Sequence, residues 1–518
     1  MWPDLSGDFR RGWLGHNGAR YAQIARNYAR DGLLSHGGAP RLDVAGAGPD
    51  APDVYANHPP GVAWLTGALF SVTGVVDEGA EPGSSERAAR LLSMGFSLAV
   101  LGLLFVLTRR VAGARAAGWA ALFTAALPMT VIYGTHVEVQ GPHVLAGGLL
   151  VLLAYTRWRE GGSLLPWLGA VLLASAFDWF GLYYAAGCAV HAALAPPRRL
   201  GAALGLGAVV SAVFGGWVLW LGQLPGMTPG LVFGAAGVRV DGGSGALQQG
   251  RPSLAQELGQ RWGELSLLLP GLPLLLALAL ALLLLPRLLG RRAQPCQGAA
   301  PGSSAQGASV SRNSRPAHAG LAGLSRRWLL GLLLAPPVLH SIVFPAGLAV
   351  HNYWVFALPP ALALAAALLL ERRAGRAALP LGLVLAAAWV AAVSAARLPE
   401  DPLPAMVGRA LSQVPVGELV LTNYDANPLR FGHPGDSYDV RLPEVTFYSD
   451  RAVRGRIDSP GRLAQARARL PAARWFLLAP FPAPPDQAAL ERALVQASAG
   501  PAQVLSQAPV VRLFPLAP

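Results

Sequence analysis

Two acidic residues stand where acids are costly. Asp178, in SAFDWFGLYYAAG, and Glu138, in YGTHVEVQGPHV, interrupt apolar runs. An ionisable group at membrane depth is expensive enough to mark a functional site by default. A carboxylate in either place can serve as a general base. His136, Gln140 and His143 crowd Glu138, and imidazole with carboxylate suits several divalent metals. Glu138 and His136 are therefore candidate metal ligands, although their spacing follows no established metal motif and a satisfied polar turn is the plainer explanation. An aromatic belt at the bilayer surface accounts for Trp179, Tyr183 and Tyr184 without any chemistry.

Three further segments carry polar groups. GWLGHNGARYAQ supplies His16, Asn17, Arg20 and Tyr21; VYANHPPG supplies Tyr55, Asn57 and His58; VFPAGLAVHNYWVFALPP supplies His351, Asn352 and Tyr353. Capping and turn chemistry accounts for the first two groups. Interface anchoring explains Tyr353 and Trp354, but less readily His351 and Asn352.

The elements that must position these residues are membrane helices. The chain of 518 residues is 53% hydrophobic and only 13% charged, with a mean hydropathy of +0.41, against about 25% charged for a soluble domain. Apolar stretches long enough to cross about 30 Å of hydrocarbon give about ten transmembrane helices. They lie near 88–107, 116–133, 141–156, 164–178, 179–195, 200–221, 264–286, 328–344, 354–370 and 378–396. Arginine clusters at 109–115, 157–159, 198–199, 287–327 and 372–376 fall on alternate connections, which puts that side in the cytoplasm. The conspicuous acids and histidines collect on the other side. The net charge of +13 would point to nucleic acid in a soluble protein; here it follows from membrane orientation, and no nucleic-acid partner is expected. Cys188 and Cys296 lie in regions that should not meet, so no disulfide is expected. The first residues, MWPDLSGDFRRGW, lack the apolar core of a signal peptide.

The fold class that follows is an all-α polytopic membrane protein with a small extracytoplasmic α/β domain at its C-terminus. Residues 1–87 form an extracytoplasmic first loop, in which GARYAQIARNYARDGLL has helical spacing ending near Gly32 and HPPGVAWLTGALFSVTG reads as an interfacial helix. Residues 88–396 form the transmembrane domain, with a Gly/Ser/Ala/Pro-rich cytoplasmic linker over 290–325 that reads as disordered. Residues 397–518 form the outer α/β domain, in which VGELVLTN and ARWFLLAPF read as strands and DQAALERALVQAS as an amphipathic helix.

The order GHNGARYAQIARNYARDGLL, YANHPPGVAWLTGALFSVTG, ERAARLLS, the acid in YGTHVEVQGP, FDWFGLYY and HNYWVFALPP resembles the GT-C glycosyltransferases of the protein O-mannosyltransferase and lipid A aminoarabinose transferase type. The resemblance spans nearly the whole membrane part. It implies a GT-C-like fold in a bacterial plasma membrane, with the active site facing away from the cytoplasm. It also implies a polyprenyl-phosphate-linked sugar donor, inversion at the anomeric carbon, and an extracytoplasmic protein, lipid or polysaccharide acceptor, with membrane lipids around the chain. Members commonly open with a span before the first loop, whereas this sequence starts directly in that loop. They also often carry an acid where GHNGARY has Asn17, and asparagine is no base. That role then falls to Glu138, Asp178 or a nearby acid such as Asp8. His16, Asn17, Tyr21, Asn57, His58 and Asn352 would shape the donor and acceptor pocket, and Arg20 and His351 are the candidates for the lipid phosphate, since guanidinium pairs well with phosphate oxygens.

A transporter of a lipid or small polar solute is the alternative. Transporters place acids and broken helices near mid-bilayer, often in repeated halves, whereas these acids lie at one rim and no repeat is visible. A membrane anchor for a glycan-binding C-terminal domain is a third reading.

Overall fold

The computed structural model describes residues 13–42, 54–55, 58–76, 83–135, 137, 141–195, 198–224, 259, 324–344, 356–373, 403–415, 417–424, 440–441, 443–455, 457–479, 487–507 and 510–517. The expected spans near 264–286 and 378–396, and all but the end of the linker 290–325, lie outside them.

The chain opens with α1 (Trp13–Asp31), a short 3-10 turn (Ser35–Gly38) and α2 (Gly61–Thr73). Helix α1 stops where Gly32 takes φ +93° and its N–H reaches the Tyr28 carbonyl at 2.9 Å, a left-handed ending that glycine adopts without strain. Helix α2 begins just after Pro59 and Pro60 and ends at a left-handed Gly74. The membrane part continues through α3 (Ser84–Ala112), α4 (Ala114–Ala126), α5 (Pro128–Tyr133), α6 (Pro142–Arg159), α7 (Leu165–Phe177), α8 (Phe180–Leu194), α9 (Leu200–Gly222), α10 (Arg326–Val343) and α11 (Pro359–Arg373).

Among the described helices, α3 and α9 are long and apolar enough to cross a membrane, while α2, α7, α8 and residues 359–371 are shorter apolar helices. The sequence reading of about ten spans is thus not met helix for helix. Helices α7 and α8 have 13 and 15 residues; at 1.5 Å per residue each covers about 20 Å, short of about 30 Å of hydrocarbon. They are two pieces broken at Asp178 and Trp179. A single apolar cluster joins α1 through α11, with Leu104, Leu149, Tyr155, Trp167, Tyr184, Leu333 and Leu362 among its buried members.

The arginine-rich helix ends gather at one end of this bundle. Arg110 at the end of α3 meets Glu160 after α6 at 3.3 Å, and Arg326 at the start of α10 meets Glu371 near the end of α11 at 3.0 Å. The Arg199 guanidinium lies 5.6 Å from the centre of the Trp158 ring. These are the ends that the arginine pattern assigned to one side.

Beyond the bundle, α12 (Leu403–Ala410) leads into a six-stranded sheet: β1 (Leu419–Thr422), β2 (Val440–Arg441), β3 (Ala452–Gly455), β4 (Ala473–Leu478), β5 (Gln503–Gln507) and β6 (Val510–Pro515), in the order β2-β3-β1-β4-β6-β5. Strand β1 runs parallel to both β3 and β4, and the outer pairings are antiparallel. Helix α13 (Pro443–Ser449) precedes β3, α14 (Pro460–Arg469) crosses from β3 to β4, and α15 (Gln487–Ala497) precedes β5. One face of the sheet packs Leu421, Phe476 and Phe514 against Leu463, Leu490 and Leu494 of the helices. Asn423 locks the ends of the central strands, its amide giving to and taking from the Ala479 backbone at 2.7 Å each way.

Close backbone approach sets how α2 meets α7. A Cβ on Gly61 would lie 2.5 Å from the Ala176 carbonyl oxygen, so only glycine lets the two helices touch there. Gly61→Ala is expected to cost about 1–3 kcal/mol through overpacking, read as a lower thermal midpoint of the purified protein in detergent. Gly169→Ala, a position with nothing within 4 Å, should leave the midpoint unchanged or raise it by up to about 1 kcal/mol equivalent.

Candidate active site

The site begins at the break between α7 and α8. Asp178 is extended, with φ −166° and ψ 155°, so it cannot continue the helix. One carboxylate oxygen accepts the Phe180 N–H at 2.6 Å, supplying a partner for a donor that the start of α8 leaves open. The other lies 2.7 Å from His58 Nδ1, with the Asp178 side chain 1% and the His58 side chain 10% exposed. A carboxylate this deep needs such partners, because desolvation strongly disfavours an isolated charge.

His58 reaches Asp178 because of its local sequence. Pro59 and Pro60 follow it and prepare the first turn of α2, and the glycine at 61 lets that turn rest on Ala176, two residues before Asp178. The order His-Pro-Pro-Gly therefore places an imidazole against the end of α7.

Helix α1 closes the site. Tyr21 is buried and its ring lies 5.9 Å from that of Tyr55, edge to face; Tyr55 lies 6.1 Å from the His58 ring. The Arg20 guanidinium covers the other aromatic contact, 4.7 Å from the centre of Tyr55. Burial, then the neighbouring Tyr55, holds the Tyr21 hydroxyl well above the usual phenol range, with Arg20 opposing. Tyr21 is consequently a neutral hydroxyl at physiological pH. Asn17, one turn earlier on α1, is buried as well. Tyr28 and Trp64 both donate to the Gly38 carbonyl, at 2.7 and 3.4 Å, which ties the first loop to α2.

The structure thus brings together Arg20, Tyr21, His58 and Asp178, with Asn17 on the same helix as the first two. It also adds His340, which the sequence reading passed over. His340 is buried on α10, with its ring 5.2 Å from Phe180 and 5.7 Å from Tyr183. Its signal in the sequence was a lone imidazole within LLLAPPVLHSIV, a pattern that core histidines share. His143 sits between Phe96 and Phe177, at 4.6 and 6.1 Å, one residue away from the Asp178 turn. Glu138, His136, Asn57, His351 and Asn352 lie outside the described residues, as does the His16 side chain.

Among the described residues no group of three or more His, Cys, Asp or Glu side chains is arranged to hold a metal ion. One carboxylate and one imidazole already in contact fall short of the four ligands of zinc or the six and more of calcium. The described donor set does not fit a resident metal by itself.

Residues 57–196 match the family model of dolichyl-phosphate-mannose-protein mannosyltransferases. No curated protein matches the sequence. Among solved structures, the archaeal oligosaccharyltransferase AglB from Archaeoglobus fulgidus in complex with an inhibitory peptide and a dolichol-phosphate aligns at TM-score 0.53 and 12% identity, over 92% of this chain and 68% of that one. The complex of the same organism's oligosaccharyltransferase with Zn and sulfate aligns at TM-score 0.51 and 14% identity, over 90% of this chain and 64% of that one. ArnT from Cupriavidus metallidurans in the apo state aligns at 0.38 and 13%, over 98% of this chain and 95% of that one. Identities this low speak to fold alone, and the chain spans about two thirds of the length of the AglB chains.

If the Asp178–His58 contact is energetic and not merely geometric, a double-mutant cycle with Asp178→Asn and His58→Ala should give a coupling of about 0.5–3 kcal/mol in thermal or denaturant unfolding. Strict additivity would show the two side chains to be independent. The fold is similar to that of the AglB oligosaccharyltransferase, and residues 57–196 are similar to the dolichyl-phosphate-mannose-protein mannosyltransferase family.

Proposed function

We propose that this protein transfers a sugar from a polyprenyl-phosphate carrier to an acceptor on the extracytoplasmic face of the membrane, with inversion at the anomeric carbon. The observation that carries the reading is the buried Asp178–His58 contact beside the Arg20 guanidinium and the neutral Tyr21 hydroxyl, within a GT-C fold. The AglB structure that aligns at TM-score 0.53 holds a dolichol-phosphate, a molecule of the same polyprenyl-phosphate class as the proposed carrier.

The chemistry asks three things of the protein. An acceptor hydroxyl must lose its proton as its oxygen bonds to the anomeric carbon; the bond from that carbon to the phosphate oxygen must break; and the departing polyprenyl phosphate must be stabilised as its charge grows. In our reading the Asp178–His58 pair takes the proton. Asp178 is the less accessible member and has both oxygens engaged, so it orients the imidazole and supports its charge, as a buried carboxylate does for histidine bases elsewhere. Arg20 faces the leaving phosphate, where a planar guanidinium gives paired, charge-assisted hydrogen bonds. Tyr21, held neutral, donates a hydrogen bond. Glu138 remains the second candidate base and His351 the second candidate for the phosphate. Asn17, His16, Asn57 and Asn352 stay candidates for the donor and acceptor pocket, and a divalent metal, if held by Glu138 and His136, would add a second cation for the phosphate.

A transporter remains the competing reading for one specific reason: a helix broken at a buried acid, as α7 and α8 are at Asp178, is also how transporters build substrate sites. Donor chemistry separates the two. Purified protein in lipid nanodiscs, given undecaprenyl-phosphate pentoses or hexoses together with a cell-envelope extract that supplies acceptor hydroxyls, should release undecaprenyl phosphate as the sugar passes to the acceptor. Asp178→Asn and His58→Gln should each lower turnover by about 100-fold or more, and Arg20→Lys should lower it less than Arg20→Ala. If no donor is consumed, the transferase reading fails. If donor is consumed but both Asp178→Asn and His58→Gln turn over as wild type while Glu138→Gln does not, the base is Glu138.

A further inference from the structure

Helix α1 lies between two bodies. One side packs on α2: a Cβ on Gly67 would fall 2.8 Å from Tyr28 Cβ and 3.0 Å from the Ala25 carbonyl, so the two helices are in backbone contact. The other side meets α13 of the C-terminal domain, more than 400 residues away in the chain. Arg26 donates from Nη1 to the Phe447 carbonyl at 2.6 Å, and its guanidinium also lies 4.2 Å from the centre of the Phe447 ring. Four residues on, Arg30 pairs with Asp450 at 2.8 Å. Phe447 is 2% exposed and belongs to the apolar cluster of the membrane part, not to those of the sheet. The C-terminal domain is therefore plugged into the bundle through the Phe447 side chain, with Tyr448 partly buried against the same cluster. Its own side of the plug is equally tight, because a Cβ on Gly408 of α12 would lie 2.5 Å from Tyr448 Cβ.

At about 100° per residue, Arg26 points about 120° away from Arg20 and about 140° away from Tyr21 around the α1 axis. The face that grips the C-terminal domain and the face that enters the candidate site are nearly opposed, on one rigid helix. Burial draws the Arg26 guanidinium down to about 10, and Asp450 pulls it back up, so it keeps its charge at neutral pH. A half-buried cation satisfied by a carbonyl and an aromatic face holds a narrow geometry.

We propose that Arg26 and Phe447 form a positioning contact through which the C-terminal α/β domain sets the rotation of α1, and with it the placement of Arg20 and Tyr21 beside His58 and Asp178. The consequence for turnover rests on the transferase reading above; the hold on α1 does not. Neither residue touches the reacting groups, and both act through the helix.

The test uses the full chain in lipid nanodiscs, with hydrogen exchange of α1 and donor consumption measured on the same samples. Phe447→Leu keeps an apolar plug but removes the ring face; Arg26→Lys keeps the charge but removes the planar stack. Each should speed exchange along residues 13–31 by about tenfold while leaving β1, β3 and β4 protected, and should lower kcat by about tenfold with the donor KM within about threefold, as expected when reacting groups are misplaced but still present. Phe447→Ala should be more severe on both counts, and if it does not fold the two milder variants decide. Unchanged α1 exchange in both variants would overturn the proposal, as would loosened α1 with wild-type turnover. A wild type that consumes no donor while Phe447→Leu loosens α1 would overturn the transferase reading and support the contact.

Discussion

A carboxylate has to be buried at a helix break, and much of the surrounding architecture answers to that demand. Taking an ionised carboxylate out of water costs several kcal/mol after relaxation, so Asp178 needs partners at once. The Phe180 N–H and the His58 imidazole provide them. The first requires α8 to start two residues later; the second requires a segment from the first loop to lie against the end of α7. The break, the Pro-Pro-Gly approach of α2 and the edge-to-face contact of His340 with Phe180 are parts of one solution to that single cost.

The same demand explains why the first loop is structured. A histidine held on a mobile loop could not offset the desolvation of a fixed carboxylate. Helix α1 and the Gly38 turn are tied by Tyr28 and Trp64 to a common carbonyl, and α1 is clamped from outside by α13. Order therefore passes inward from the sheet to α1, then to the Tyr21–Tyr55–His58 aromatic series, and finally to the carboxylate. At the opposite end of the bundle, the only described acids, Glu160 and Glu371, are each engaged by an arginine. Those pairs are partly exposed and contribute little to stability, but they register helix ends from α3, α6, α10 and α11 on one face.

What could be read from residue order alone was whatever local physics decides. Apolar stretches and alternating arginines followed from the cost of placing charge in hydrocarbon; the end of α1 at Gly32 and the start of α2 after Pro59 and Pro60 followed from backbone chemistry. β1, β4 and α15 were legible because period-2 and period-3.6 patterns survive in VGELVLTN, ARWFLLAPF and DQAALERALVQAS. Asp178 and His58 were singled out as polar residues in costly or unusual surroundings, and the family resemblance put both at one pocket, but no residue pattern named the direct contact between them.

The meeting itself is tertiary. Residues 58 and 178 are brought to 2.7 Å only because α2 and α7 touch at Gly61 and Ala176, and nothing in either segment names the other. Length misled at α7 and α8: the sequence reading placed the break at 178/179 but took both pieces as full spans, because hydropathy records composition and not where the helical backbone stops. His340 was hidden for a related reason: a single imidazole in an apolar run looks the same whether it serves a core or a site. The contact between Arg26 and Phe447, 421 residues apart, was beyond any local signal. The sequence by itself determined an apolar helical bundle with a small C-terminal sheet and the residue types available for chemistry. The packing of α1 between α2 and α13 decided which of them stand together, because hydrophobic burial is not directional and only the shapes of the packed helices select the pairs.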